Sequence, residues 1–135
     1  MTFLLDTNTC IVAMNDPAGR TRARLLEEES KRRPVFVSTV SVFELLYGAF
    51  KSSRVEHNLK KMRAFLQPLT QAMFDSDDAE AAGIVRADLE RKGRPIGPYD
   101  YLIAGQALQR GLTFVTDNDG EFRRVQGLKI ENWVR

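Results

Sequence analysis

The chain has 135 residues, of which 43% are hydrophobic and 28% are charged, and its formal net charge is only +2. These values are typical of a folded globular protein, and this length favours one domain spanning residues 1–135. The single cysteine, Cys10, excludes an intramolecular disulfide. No apolar run approaches the roughly 18 residues of a membrane helix, and no basic leader precedes the first apolar run, so a cytoplasmic location is expected.

Short apolar runs alternate with helical patterns along the whole chain. The residues Thr7–Thr9 offer cap chemistry for a first helix, Pro34 stops a charged helix, and Gly93 and Gly111 mark two helix ends. In chain order, we predict a strand at 2–6, helices at 7–15 and 20–32, a strand at 35–37, helices at 38–50 and 54–67, a weak strand at 72–74, helices at 79–92 and 99–110, and strands at 112–116 and 128–130.

The alternation of strands and helices predicts an α/β fold, in which helices cover both faces of a central, mostly parallel sheet. In such sheets ligands bind outside the carboxyl ends of the strands. Asp6 ends the first strand, and Asp117 and Asp119 follow a late one. We therefore expect these side chains to lie close together at one edge of the sheet.

Acidic side chains occur at element ends in four parts of the chain. Asp6 follows Phe3-Leu4-Leu5, Glu44 lies between apolar neighbours, Asp100 opens an apolar stretch, and the 117–121 segment carries Asp117, Asp119 and Glu121. Convergent carboxylates repel one another, and a divalent cation would neutralise them. Mg²⁺ and Mn²⁺ prefer such oxygen ligands. The pattern predicts a metal-dependent site.

Each acid also has a simpler interpretation. Asp6 could serve only as a turn or cap residue, and Glu44 could complete a capping box with Ser41. Asp100 could only favour the positive end of its helix dipole, and the acids at 117–121 could be loop residues. The hypothesis of a metal site depends on all of these acids together, because it is wrong only if the simpler interpretation holds for every one of them.

The other reactive or charged groups are less informative. Cys10 is interpreted as a core residue of the first helix, and His57, within a polar helix, as solvent-facing. Basic residues cluster at 20–24, 31–33 and 60–63. Such runs are most often solvated helix faces, with contact to RNA as the alternative.

Five motifs together resemble those of PIN-domain ribonucleases, specifically the VapC-type toxins of bacterial toxin–antitoxin pairs. The resemblance covers nearly the whole chain, and its specificity comes from the order and spacing of the motifs. They are Leu5–Asn8, Ser38–Gly48, Gly93–Ala104, Val115–Phe122 and Ile130–Trp133.

The resemblance implies a three-layer α/β/α fold, a homodimer, and cleavage of RNA by a water activated by Mg²⁺ or Mn²⁺. It assigns the three principal acidic and metal-binding roles to Asp6, Glu44 and Asp100. The fourth acid stays open, because the common PIN pattern has an aspartate where this chain has Asn118. The candidates are Asp117, Asp119 and Glu121, and the residues expected to orient ligands or water are Asn8, Thr116 and Asn118.

The resemblance also implies partners. A VapB-like antitoxin would wrap around the chain and form a hetero-oligomer with it. The antitoxin, rather than this chain, would contact operator DNA. An arginine of the antitoxin would enter the acidic cleft. The motif Ile96–Asp100 is similar to that of toxins that cut initiator tRNA in the anticodon loop. We therefore expect tRNA as the substrate class.

Two other classes of protein are alternatives to a PIN-domain ribonuclease. A phosphorylated receiver domain needs paired acids after its first strand and a lysine after a late strand, but Asp6 is single and Thr116 is followed by Asp117. A catalytically silent PIN-like module that binds RNA or protein stays open as the alternative, because the fourth acid is not fixed by the motif.

Overall fold

Five parallel strands form a single sheet at the centre of the molecule. The computed structural model describes residues 1–135, and its sheet order is β3-β2-β1-β4-β5 with every pairing parallel. The α/β prediction is confirmed, and the sheet is wholly rather than mostly parallel. The strands are β1 (Phe3–Leu5), β2 (Val35–Ser38), β3 (Thr70–Ala72), β4 (Thr113–Val115) and β5 (Ile130–Glu131).

Seven helices cover the two faces of this sheet, which gives the three-layer arrangement. They are α1 (Thr7–Asn15), α2 (Arg20–Ser30), α3 (Thr39–Lys51), α4 (Val55–Leu66), α5 (Ser76–Arg91), α6 (Pro98–Arg110) and α7 (Asp119–Phe122). No helix is both long and apolar enough to cross a membrane.

The sheet divides the hydrophobic core into two clusters, because successive side chains of a strand point to opposite faces. Leu5 and Val115 belong to the cluster under α1, α2 and α4, together with Cys10 as predicted. Leu4 and Phe114 belong to the cluster under α5 and α6. Both faces of β1 and β4 are therefore buried, and only the ends of these strands can carry a polar site.

The strand order reverses between β1 and β4. From β1 the chain builds the sheet outward through β2 and β3, and then returns to the other side for β4 and β5. Leu5 pairs with Val115, and the Asp6 amide donates to the Val115 carbonyl at 2.9 Å. Such a reversal of strand order is the point at which open α/β sheets form the crevice that binds ligands, outside the carboxyl ends of the strands.

Several predicted element boundaries were wrong. Helix α1 is capped by Asp6 rather than by the residues 7–9, and α5 begins at Ser76 because Asp75 and Asp78 form a capping box ahead of it. Strand β3 lies two residues before the predicted 72–74, and β5 lies two residues after the predicted start at 128. Helix α7 was not predicted, since four residues are too few to show a helical period.

A buried polar cluster joins α5, α6 and the end of β3. Asp78 is fully buried and accepts two hydrogen bonds from Arg110, at 3.1 and 2.9 Å, and one from Gln106 at 3.0 Å. Burial alone would raise the pKa of Asp78, but these bonds and that from the Asp75 amide hold it below its usual value. Gly105 allows the close approach of the two helices, because a Cβ there would lie 2.5 Å from Ala82 Cα.

Replacing Asp78 by alanine removes the acceptor of all four bonds, so that Arg110 and Gln106 keep only their weaker set of partners, chiefly the carbonyls of Met73 and Ala72. We expect a loss of roughly 3 to 5 kcal/mol in the free energy of unfolding, measured by urea titration, as for other broken buried pairs. The matched control is Asp88→Ala on the same helix, which breaks an exposed pair with Lys92 and should cost less than about 1 kcal/mol. Equal losses from the two variants would contradict this account.

Candidate active site

Asp6 lies at the carboxyl end of β1, where it is almost fully buried. Its Oδ1 accepts the Thr9 amide at 2.7 Å as the cap of α1, and the hydroxyl of Thr116, at the end of β4, lies near its carboxylate. Burial raises the pKa of Asp6, and the nearby charge of Asp117 adds to this, although the bonds from Thr116 and Thr9 oppose the shift. Asp6 is therefore both a helix cap and a buried carboxylate at the crevice.

Glu44 projects from α3 and is tied to the first turn of α1. The Thr7 hydroxyl donates to Glu44 Oε1 at 2.7 Å and lies 2.9 Å from Ser41 Oγ. The cap of α3 is Ser38, whose Oγ accepts the Val40 amide at 3.1 Å. Glu44 thus forms no capping box with Ser41, and the simpler interpretation of this acid fails.

Asp100 lies in the first turn of α6, where the helix dipole favours a negative charge. Its pKa is nevertheless raised to about 6, chiefly by burial and then by the negative charges of Glu121, Glu44 and Asp6. The repulsion shows that these four acids share one electrostatic neighbourhood. The structure therefore brings together acids from β1, α3, α6 and α7, far apart in the sequence.

The 117–121 segment divides its three acids between two environments. Asp117 and Asp119 both accept hydrogen bonds from Asn132, at 3.0 and 2.9 Å, and both pair with Arg135. The Asn132 bond holds the pKa of Asp119 below its usual value. Glu121 instead contacts Asn118 and faces Asp100.

Ion pairs also distinguish Asp117 and Asp119 from Glu121. Asp119 pairs with Arg123 as well as Arg135, and Asp117 pairs with Arg135. No lysine, arginine or histidine pairs with any of the four acids at the crevice, which are Asp6, Glu44, Asp100 and Glu121. These four carboxylates therefore carry negative charge without a counter-charge from the protein, and we define them as the acidic cluster.

The acidic cluster fits a small hard cation. Its donors are all carboxylate oxygens, the kind that Mg²⁺ and Mn²⁺ prefer. No three acidic, histidine or cysteine side chains are spaced to enclose a cation by themselves. A cation at the acidic cluster would therefore need water molecules or substrate oxygens as further ligands.

Three polar residues predicted to assist the site occupy different positions. Thr116 is buried at the end of β4, where its Oγ1 accepts the Asn118 amide at 3.0 Å and its hydroxyl lies close enough to Asp6 to lower the pKa of that carboxyl. Asn118 contacts Glu121. Asn8 is exposed, and it lines a surface depression of about 460 Å³ beside Asp117 and Asn118.

Two features beside the acidic cluster were missed by the sequence analysis. Gly97 caps α6, and a Cβ at this position would lie 2.9 Å from Asp100 Oδ2. The glycine–proline turn was visible in the sequence, but its contact with Asp100 was not. The second feature is the binding of the 117–121 segment by Asn132 and Arg135; the motif Ile130–Trp133 contains Asn132, but nothing in the sequence shows which residues its side chain contacts.

Comparison with known proteins gives the class of this chain. Residues 3–128 match the family model described as PIN domain. The chain is 42% identical over 131 residues to the tRNA(fMet)-specific endonuclease VapC of Salmonella typhimurium, covering 97% of each chain. It is 37% identical over 133 residues to ribonuclease VapC2 of Rickettsia felis, covering 98% of each.

Solved structures agree. The chain superposes on the DNA-bound VapBC structure from Salmonella typhimurium with a TM-score of 0.92, at 42% identity and 98% coverage of each chain. For the promoter-DNA-bound VapBC2 structure from Rickettsia felis the TM-score is 0.91, at 34% identity, covering 98% of this chain and 99% of the other. The chain belongs to the PIN domain family, in its VapC branch, and the resemblance seen in the motifs is confirmed.

The raised pKa of Asp100 makes a prediction about stability. Between about pH 3.8 and about pH 6 Asp100 holds a proton in the folded chain that it releases in the unfolded chain, so its contribution to the free energy of unfolding falls as the pH rises through this window. Asp100→Asn removes the titrating group. We expect urea titrations across this window to show a shallower fall for the variant, and a variant more stable than the parent at neutral pH. A variant with the parent's slope would contradict the shift.

Proposed function

We propose that this chain is a Mg²⁺- or Mn²⁺-dependent endoribonuclease and the toxin of a toxin–antitoxin pair. The observation that carries the proposal is the acidic cluster, four carboxylates without counter-charges at the crevice where the strand order reverses. The names of the VapC relatives, a tRNA(fMet)-specific endonuclease and a ribonuclease, support the reaction class.

In this proposal Asp6 and Asp100 would hold the cation, and Glu44 and Glu121 would complete the acidic site around it. A bound divalent cation supplies an activated water and offsets the charge that develops on the phosphate. Thr116 keeps the Asp6 carboxylate at the crevice, as Thr7 does for Glu44. We assign the fourth acidic role to Glu121, because Asp117 and Asp119 are engaged by Asn132 and Arg135.

The substrate we propose is tRNA, with its backbone held beside the acidic cluster by α4. Of the three basic runs, that of α4 supplies Lys61, which lines a groove of about 280 Å³ that also includes Glu44. In the other runs, Arg24, Lys31 and Arg33 pair with the buried Glu28. Binding through α4 would weaken with added salt, since phosphate contacts release counterions.

The partner we propose is a VapB-like antitoxin, because the similar structures are VapBC complexes. An arginine of that antitoxin would suit the acidic cluster, since a guanidinium pairs with carboxylates in a fixed bidentate geometry. Operator DNA would be contacted through the antitoxin. We also propose a homodimer, for which the exposed apolar row on α3 offers a surface; its members are Phe43, Tyr47 and Phe50.

The alternative of a silent binding module is weakened by the completeness of the acidic cluster. A module that binds without cutting has no need for four mutually repelling carboxylates, two of which have raised pKa values. The two proposals differ in one measurable property, the appearance of new RNA ends.

Asp6→Asn and Asp100→Asn should each abolish cleavage while the fold stays intact. Asparagine at position 6 can still accept the Thr9 amide, so the cap of α1 survives while the charge is lost. The antitoxin-free chain is incubated with a total tRNA pool and Mg²⁺ or Mn²⁺, beside an EDTA sample, and new ends are mapped. Asp88→Asn, on the far α5 surface, is the matched control and should cut like the parent.

Discrete cuts in one or a few tRNAs, lost with EDTA and in both variants, are the expected result. Full activity of Asp6→Asn or Asp100→Asn would overturn the residue assignment. A folded parent that binds tRNA but yields no new ends under any of these conditions would favour the silent module.

Gly97→Ala tests the space beside Asp100. The added methyl group must displace the carboxylate, which can move because it ends a side chain, so the melting temperature should change little. Cleavage should fall roughly 10- to 100-fold, as expected when a reacting group is misplaced by up to about 1 Å. Gly83→Ala is the control, since a Cβ there meets no atom within 4 Å. Equal rates for the two variants would refute the role of Gly97.

A further inference from the structure

The residues that follow β5 bind the turn that carries Glu121. Asn132 Nδ2 donates to both Asp117 Oδ1 and Asp119 Oδ1, at 3.0 and 2.9 Å. Arg135 donates to the same two carboxylate oxygens, at 3.0 and 3.2 Å, and to the Asp117 carbonyl at 3.2 Å. One asparagine amide therefore bridges the two acids that the acidic cluster does not use.

Asn132 is itself held firmly on both sides. Its Oδ1 accepts the amides of Val134 and Arg135, at 2.8 and 3.0 Å, so every polar atom of its side chain has a partner. The next residue, Trp133, is buried against Phe3 with ring centroids 5.0 Å apart, and its carbonyl accepts the Thr21 hydroxyl at 3.0 Å. The amide of Asn132 is thus fixed to the core through its neighbour.

This arrangement determines which acids face the crevice. Asp117 is close enough to Asp6 for its charge to be felt there, and without its partners it would compete for the same space. Asn132 and Arg135 turn Asp117 and Asp119 away and supply hydrogen bonds and positive charge to them. Glu121, one turn further on, is bonded by the side-chain amide of Asn118 but pairs with no cation, and its negative charge acts on Asp100.

We propose that Asn132 is a positioning residue of the active site, which holds Asp117 and Asp119 away from the crevice and fixes the 116–121 turn so that Glu121 completes the acidic cluster. The proposal rests on the function proposed above. Asn132 carries more of this role than Arg135 because the Arg135 side chain is 70% exposed, and exposed ion pairs contribute little to stability.

The chemistry of the bridge requires an amide. Two carboxylates need two donors from one side, while the backbone amides of Val134 and Arg135 need an acceptor on the other. Aspartate would keep the acceptor but would present a third negative charge to Asp117 and Asp119. Asn132→Asp therefore changes the shape of the side chain very little but replaces its attraction to Asp117 and Asp119 by repulsion.

The first measurement is amide hydrogen exchange of residues 116–122, which needs no catalysis. We expect faster exchange in Asn132→Asp than in the parent, and a smaller rise in melting temperature on titration with MgCl₂. With the tRNA found to be cut, kcat should fall about 10- to 100-fold while KM changes less, as for residues that orient metal ligands. The matched control is Arg123→Ala, which changes the charge beside Asp119 equally but leaves the bridge intact, and should stay within about fivefold of the parent.

A polarity swap tests the contact itself. Adding Asp117→Asn and Asp119→Asn to Asn132→Asp places amide donors opposite the new carboxylate, and should restore slow exchange in the 116–122 segment. Should Asn132→Asp not fold, Asn132→Ala, which adds no charge, replaces it in the exchange measurement.

Unchanged exchange in the single variant, or failure of the swap to restore it, would overturn the proposal. The exchange measurements are independent of nuclease activity. A parent chain that cuts no RNA and shows no response to MgCl₂ would instead refute the proposed function, while exchange would still report on the bridge.

Discussion

The register between β1 and β4 is the constraint on which the rest of the structure depends. Because Leu5 lies opposite Val115, Asp6 and Thr116 leave the sheet side by side, and the bond from the Asp6 amide to the Val115 carbonyl joins the two strand ends. A shift of one residue would turn the apolar side chains of these strands to the wrong face. The two hydrophobic clusters therefore fix the register, and the register fixes the polar edge.

The carboxylates at the polar edge of the sheet repel one another, and the fold tolerates this because other parts of the molecule stabilise it. The Asp78 cluster shows the opposite treatment of a buried acid, with Arg110 and Gln106 as direct partners and a lowered pKa. Asp100 has no such partners, and its pKa is raised to about 6. The same fold thus contains acids that hold helices together and acids kept without a counter-charge, a condition that a cation relieves.

The sequence was sufficient for the fold class and for three of the four clustered acids, because both depend on local patterns. Apolar runs between helices predict a parallel sheet, and an acid at a strand end is visible without the structure. The different surroundings of Asp117, Asp119 and Glu121 were not visible, since the first two are bound by residues 15 and 18 positions beyond Asp117. Strand β3 was misplaced for a similar reason: Thr70 and Gln71 are exposed and polar, and only pairing with β2 makes them a strand.

The double role of Asp6 affects how related chains should be compared. Since Asp6 caps α1, its replacement by an apolar residue would cost about 1 kcal/mol of stability whether or not the chain cuts anything. Selection for folding alone can therefore retain this aspartate after activity is gone. Glu44 forms no cap, so drift can remove it more cheaply. In a related chain, an aspartate at this position is therefore evidence of a retained fold, and a glutamate equivalent to Glu44 is better evidence of a retained acidic cluster.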